Sequence, residues 1–226
     1  MNDKLKEILD EFIEETKKDC YKIELLDEEP SILDNKIGGL PYIPQGEEYP
    51  TDIEGNPLAL LLQVNLKDIE LDNYPTSGYL EIFTDRNLNY PCKYKVRYFE
   101  SDKEYQKDLP IVDLKHYLVK KPYKIKLKKS ISYLPVSDYR FYLQMNMLLS
   151  WYVKDYSLDD INSYLYELDS NWLDKYNLLT DNDSITIGGY PDFRGNDPRI
   201  NRNDDKDECL FKIDSNYDND KVFIGK

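Results

Sequence analysis

Asp214, Asn216, Asp218 and Asp220 place an oxygen ligand on every second residue, as in the first half of a calcium-binding loop. Such a loop also needs a glycine at its sixth position and a bidentate glutamate at its twelfth. Asn219 and Gly225 stand there instead, so a solvated turn is the preferred reading and calcium the sharper alternative. Nucleophile and base chemistry is scarce. His116 is the one histidine, and Cys20, Cys92 and Cys209 are scattered outside any C-x-x-C pair. That weighs against a structural zinc, and it leaves Ser-His-Asp or Cys-His catalysis only if His116 takes part. Around Asp192, the side chains of Arg194 and Arg199 could clamp a carboxylate or phosphate of a ligand. The plainer expectation is that Arg199 pairs with an aspartate such as Asp197 and pins its loop. No G-x-G-x-x-G or G-x-x-x-x-G-K-[ST] phosphate loop is present. No catalytic residue and no cofactor is expected.

The elements that must position these residues follow from periodicity. Leu5, Ile8, Leu9, Phe12 and Ile13 form the apolar stripe of an amphipathic helix over residues 3–19. Tyr21–Leu26 is short and mixed. Leu58–Leu66 reads as a buried strand and Tyr79–Thr84 as a second, after the turn Pro75-Thr76-Ser77-Gly78. Lys93–Phe99 alternates, with Tyr94, Val96 and Tyr98 on one face, and Tyr123–Leu127 alternates likewise. The lysines at 120, 121, 124, 126, 128 and 129 read as the solvated face of that strand in preference to a nucleic-acid stripe. Period alone does not type Phe141–Val153, where Met145 and Met147 read as core filler. A further helix is expected after Ser157-Leu158-Asp159-Asp160, a near capping box.

Lys36-Ile37-Gly38-Gly39-Leu40-Pro41-Tyr42 recurs 150 residues later as Thr186-Ile187-Gly188-Gly189-Tyr190-Pro191-Asp192. Leu61-Leu62-Gln63 finds its echo in Leu210-Phe211-Lys212 at nearly the same distance downstream, and a further strand is expected in each copy, Tyr79–Thr84 and Val222–Ile224. This predicts an internal duplication, with repeats over about 36–100 and 186–226. Paired glycines allow positive φ or a close backbone approach, and the proline fixes the exit. A structural corner is the preferred reading. The functional one is a backbone ledge that receives a ligand or peptide, with Gly38, Gly39, Gly188, Gly189 and Tyr190 as candidates. Gln63 and Lys212 occupy equivalent strand positions, where a sheet-lining contact is preferred to a bond with a partner's backbone.

These paired loops, the Leu-Leu-x-x-hydrophobic strands and above all the run from Ile187 to Arg199 resemble the bacterial YwqG-like family, from about Ile37 to the end of the chain. The resemblance implies an α+β fold: internally duplicated, mostly antiparallel β units, here with the N-terminal amphipathic helix and central helices, in a single domain spanning residues 1–226. It implies no catalytic residues. Related eukaryotic domains serve as chaperones of ribosomal proteins, and bacterial members are suspected immunity proteins beside toxins. Family members usually continue beyond the second repeat. Here the chain stops at Lys226, so that repeat reads as shortened, with an unpaired edge strand expected.

Thirty basic residues against 44 acidic ones give a net charge of -14. That excess disfavours a phosphate-backbone binder and suits a basic protein partner. The carboxylates are concentrated once, between Asp192 and Asp220, where the docking face is expected. With no apolar stretch long enough to span a membrane and no signal-peptide core, a cytoplasmic protein is expected. The function expected is a non-enzymatic binding module, an immunity protein or a chaperone-like sequestering factor. The alternative is an enzyme or small-ligand binder using the Asp192–Arg199 loop.

Overall fold

The computed structural model describes residues 3–85, 94–100, 103–112, 119, 121–150, 174, 176, 179–180, 185–192, 199 and 209–213. Among the described residues, the helices α1 (Asp3–Thr16) and α2 (Tyr139–Ser150) accompany eight strands. The strands are β1 (Lys18–Leu26), β2 (Lys36–Ile37), β3 (Ala59–Asn65), β4 (Tyr79–Thr84), β5 (Tyr94–Phe99), β6 (Tyr123–Ser132), β7 (Thr186–Gly188) and β8 (Phe211–Lys212). The architecture is α+β and mostly antiparallel sheet. The chain forms two compact units, Ile23–Lys128 with Ser215–Lys226, and Met1–Lys22 with Lys129–Asp214.

In the unit built on Ile23–Lys128 the strand order is β5-β4-β3-β2-β6. The run ALLLQVN of β3 and all six residues of β4 are largely hidden, as expected of strands covered on both faces. One face carries the core cluster Tyr42, Ile43, Leu58, Leu60, Tyr79, Phe83 and Phe99. Tyr42 and Tyr79 lie with ring centroids 4.5 Å apart. Register also sets a polar row across this face: Lys36 opposite Gln63, Gln63 opposite Glu81, and Glu81 opposite Arg97. A bulge between Leu60 and Leu62 interrupts the β3–β4 ladder. Its extra residue, Leu61, turns its carbonyl to the Gly38 N–H at 3.2 Å, so the Gly-Gly corner begins at the bulge. Tyr94, Val96 and Tyr98 do share one face of β5, and that face is exposed.

In the other unit β1 pairs with β7 and β7 with β8, both antiparallel. The core cluster joins Leu9 and Phe12 of α1 to Phe141 and Met145 of α2, with Leu134, Tyr176 and Tyr190. Phe12 meets Phe141 edge to face at 5.5 Å, a geometry worth about 1 kcal/mol beyond area burial. Helical spacing sends Phe141, Met145 and the half-buried Leu148 inward. Met147 falls on the outer face and is exposed, contrary to the core role expected of it.

One further expectation changes. The segment that looked short and mixed is the nine-residue β1, with Cys20, Tyr21 and Ile23 buried. Four of the six lysines named around β6 keep exposed or partly exposed side chains and meet carboxylates: Lys121 with Asp27, Lys124 with Asp34, Lys128 with Glu24 and Lys129 with Asp19, at 2.5–3.5 Å. A cationic stripe so paired offers little to a phosphate backbone.

Candidate functional site

The two Gly-Gly corners have nearly the same local geometry. Gly38 and Gly39 have φ of 72° and 80°, and Gly188 and Gly189 have φ of 72° and 77°. These left-handed values are ones that side chains beyond Gly rarely adopt. Lys36 and Ile37 pair with Gln63 and Leu62, as Thr186 and Ile187 pair with Lys212 and Phe211. Gly38 donates its N–H to Leu61, as Gly188 donates to Leu210.

The first corner is braced from beneath by buried polar groups. The Tyr42 N–H, just beyond the corner, donates to Gln63 Oε1 at 2.7 Å and to Glu81 Oε1 at 3.0 Å. The Gln63 amide in turn donates to the carbonyls of Ile32 and Asp34. Lys36 Nζ donates to the carbonyls of Ser31 and Ile32 at 2.9 and 2.7 Å. Gln63 and Glu81 are wholly buried. Glu81 Oε2 finds no hydrogen-bond partner. Burial pushes the Glu81 carboxyl up to about 8, against the opposing pull of the Tyr42 N–H and Lys36. Burial likewise pushes Lys36 down to about 8, against the attraction of Glu81 and Asp34. Gln63, a candidate contact for which a sheet-lining role was preferred, is wholly buried and braces the loop.

Beside this corner lies a cleft of about 290 Å³. Gly39 and Leu40 line it together with Ile32, Tyr49, Leu60 and Ile111. Prolines 30, 110 and 122 extend the apolar wall, and among the described residues Glu29 is the one charged side chain in the lining. Leu40 and Ile111 hold their side chains toward solvent at its mouth, 48% and 95% exposed. A Cβ on Gly39 would meet little except Pro122, at 3.0 Å.

The second corner is closed. A Cβ on Gly189 would fall 2.6 Å from Ser132 Cβ and 3.1 Å from Cys20 Cβ. Where Leu40 points outward, Tyr190 turns its ring into the core, and its hydroxyl donates to the Thr16 carbonyl. Lys18 Nζ and Arg140 Cζ lie 5.1 and 5.2 Å from the Tyr190 ring centre. Arg199 is buried, and its guanidinium meets the fully buried Asp138 at 2.8 Å. Arg140 grips the same carboxylate from Nε and Nη2 at 2.9 and 2.6 Å. Burial opposes ionisation of Asp138, but these hydrogen bonds outweigh it and hold its carboxyl below the usual range. Arg199 thus has a pinning role, as preferred, with a partner from outside its own loop. Asp192 accepts from the Ser137 hydroxyl at 2.9 Å.

The structure thus brings Gly38, Gly39 and Gln63 together in one unit, and Gly188, Gly189, Tyr190, Asp192 and Arg199 in the other. Arg194 and Asp197 lie outside the described residues, as do His116, Cys92 and the calcium-like set Asp214, Asn216, Asp218 and Asp220. Among the described residues, no cluster of three or more His, Cys, Asp or Glu is arranged to hold a metal. No described helix is long and apolar enough to cross a membrane. Sequence reasoning missed Glu81, Lys36 and Asp138. A glutamate inside the apolar run YLEIFT was the available signal for Glu81. It also passed over residues 24–54, where nine carboxylates accompany one basic residue, the buried Lys36.

The fold and these corners define an α+β protein of antiparallel sheets bearing two Gly-Gly-x-Pro elements, one open and one closed. Residues 35–225 match the family model described as a domain of unknown function (DUF1963), and the chain belongs to that family. No curated protein matches it.

Proposed function

We propose that the chain is a cytoplasmic, non-enzymatic binding module for a basic protein segment, acting as an immunity protein or a chaperone-like sequestering factor. The observation that carries this reading is the acidic stretch 24–54 around the open corner. Its only basic side chain is buried, and although Glu24, Asp27 and Asp34 meet lysines, Glu28, Glu29, Glu47, Glu48 and Glu54 stand exposed outside those pairs. Electrostatic complementarity of this kind speeds encounter and selects against acidic surfaces. The YwqG-like resemblance supports the same reading. It also favours treating the two corners as copies of one duplicated unit, since their strand registers correspond residue for residue. The alternative, an enzyme or small-ligand binder built on the Asp192–Arg199 loop, is weakened by the burial of Arg199 against Asp138.

The test is affinity capture on the immobilised chain at two ionic strengths, followed by mass spectrometry. The reading expects basic proteins at low salt, depleted as the Debye length shrinks below about 8 Å. Recovery of acidic or neutral proteins alone, or retention indifferent to salt, would refute it.

A further inference from the structure

The geometry points to the cleft beside Gly39 as an anchor site for an extended peptide segment, taking one apolar or prolyl side chain that neighbours a lysine or arginine. This rests on the binding-module reading above and gives it a location and a recognition rule. At about 290 Å³ the cleft lies at the lower limit of the roughly 300–1,000 Å³ of small-molecule sites. It has room for one or two side chains and little for a cofactor. Its wall is mostly aliphatic and prolyl, so burial of an apolar group is the favourable contact it can make. Gly39 has no side chain to hold a visiting backbone away.

Charge selects the neighbour. Among the described residues Glu29 is the only charged one in the lining, and the stretch 24–54 supplies six of the twelve described lining positions. A cation beside the anchored side chain meets a carboxylate there, and an acidic peptide meets repulsion. The second corner supplies the counter-case. Its ledge is filled by Ser132 and Cys20, and Tyr190 adds its own ring to the core with two cations over it. The first corner has the same backbone turn and is left open.

A phage-displayed library of short random peptides panned on the full chain tests this. Enriched peptides, labelled with fluorescein, are then titrated by anisotropy at low and high salt. Enriched sequences should place an aliphatic, aromatic or prolyl residue within a position or two of Lys or Arg. The double variant Leu40→Lys/Ile111→Lys alters two exposed side chains and should keep its melting curve. It should weaken binding by about tenfold or more. Glu29→Gln should weaken binding about threefold and flatten its salt dependence. Basic peptides that bind the double variant as tightly as the parent would overturn the cleft and leave the binding-module reading standing. Enrichment of acidic or uncharged peptides would overturn both. No enrichment at all would overturn the cleft, and the capture experiment then decides the wider reading separately.

Discussion

Replacing Glu81 with Gln should turn a pH-dependent stability into a flatter one, because Glu81 is buried with one oxygen unpartnered. Its carboxyl is lifted from an ordinary 4.5 to about 8. Between those values the native chain keeps a proton that the unfolded chain has released. Unfolding is therefore increasingly favoured as pH rises, by about 1.4 kcal/mol per unit. Over the whole window this amounts to about 5 kcal/mol, a large part of the roughly 5–15 kcal/mol that holds a domain folded. Lys36 acts in the opposite sense above that window. Its folded value of about 8 lies below the ordinary 10.5, so from pH 8 upward the unfolded chain binds a proton the native one lacks, and stability recovers. A minimum near pH 8 follows for these two groups.

Gln at position 81 can still accept from the Tyr42 N–H, but its amide NH₂ replaces the orphan oxygen and brings donors with no acceptor. That carries a pH-independent penalty of about 1–3 kcal/mol. The variant should be the less stable protein at pH 5 and the more stable at pH 8, with the two curves crossing between. Urea unfolding followed by circular dichroism from pH 5 to 9, at fixed protein concentration, measures this. A wild-type-minus-variant difference constant to within about 0.5 kcal/mol from pH 5 to 8 would refute an elevated Glu81.

Gly189→Ala combines a left-handed φ with a Cβ 2.6 Å from Ser132 Cβ, and should lower stability by about 2–4 kcal/mol. Gly39→Ala carries the φ strain and only the Pro122 contact, so it should lose about 1–2 kcal/mol; comparison of urea midpoints separates the two. Arg199→Leu leaves Asp138 held by Arg140 alone and should destabilise by about 3 kcal/mol, read as a lower melting temperature. Tyr190→Phe removes the hydroxyl that reaches the Thr16 carbonyl and should cost about 1 kcal/mol in the same assay.

What the sequence made legible was whatever depends on local period. Leu58–Leu66 and Tyr79–Thr84 announce themselves as apolar runs between turn residues, and they are β3 and β4 within a residue or so. The stripe through Leu9 and Phe12 foretells the face of α1 that enters the core. The paired glycines could be read as left-handed corners because few other residues tolerate that φ. What stayed hidden is set by partners far along the chain. Asp138 is indistinguishable in sequence from any surface aspartate until Arg199, 61 positions away, is folded against it. The cleft gathers Glu29, Leu60 and Ile111 from three separate segments, and no spacing rule connects them. β1 was obscured because Lys22 and Glu24 interrupt its buried residues and because Cys20 and Tyr21, next to each other, are both buried, which breaks the alternation.

Each unit holds a buried carboxyl close to its corner, and the two are solved in opposite ways. Asp138 faces two guanidiniums, which supply more than enough hydrogen bonding to keep it ionised despite burial. Its contribution is present above the ordinary aspartate range and is lost as pH falls through its depressed value. Glu81 has a backbone N–H and the more distant attraction of Lys36 and Arg97, so burial wins and the proton stays. Its contribution is present at low pH and is lost as pH rises toward 8. Acid should therefore loosen the bracing around the closed corner. The alkaline cost at the open corner falls on the stability of the fold and not on the loop's own hydrogen bond, because an ionised Glu81 accepts the Tyr42 N–H more strongly than a protonated one does.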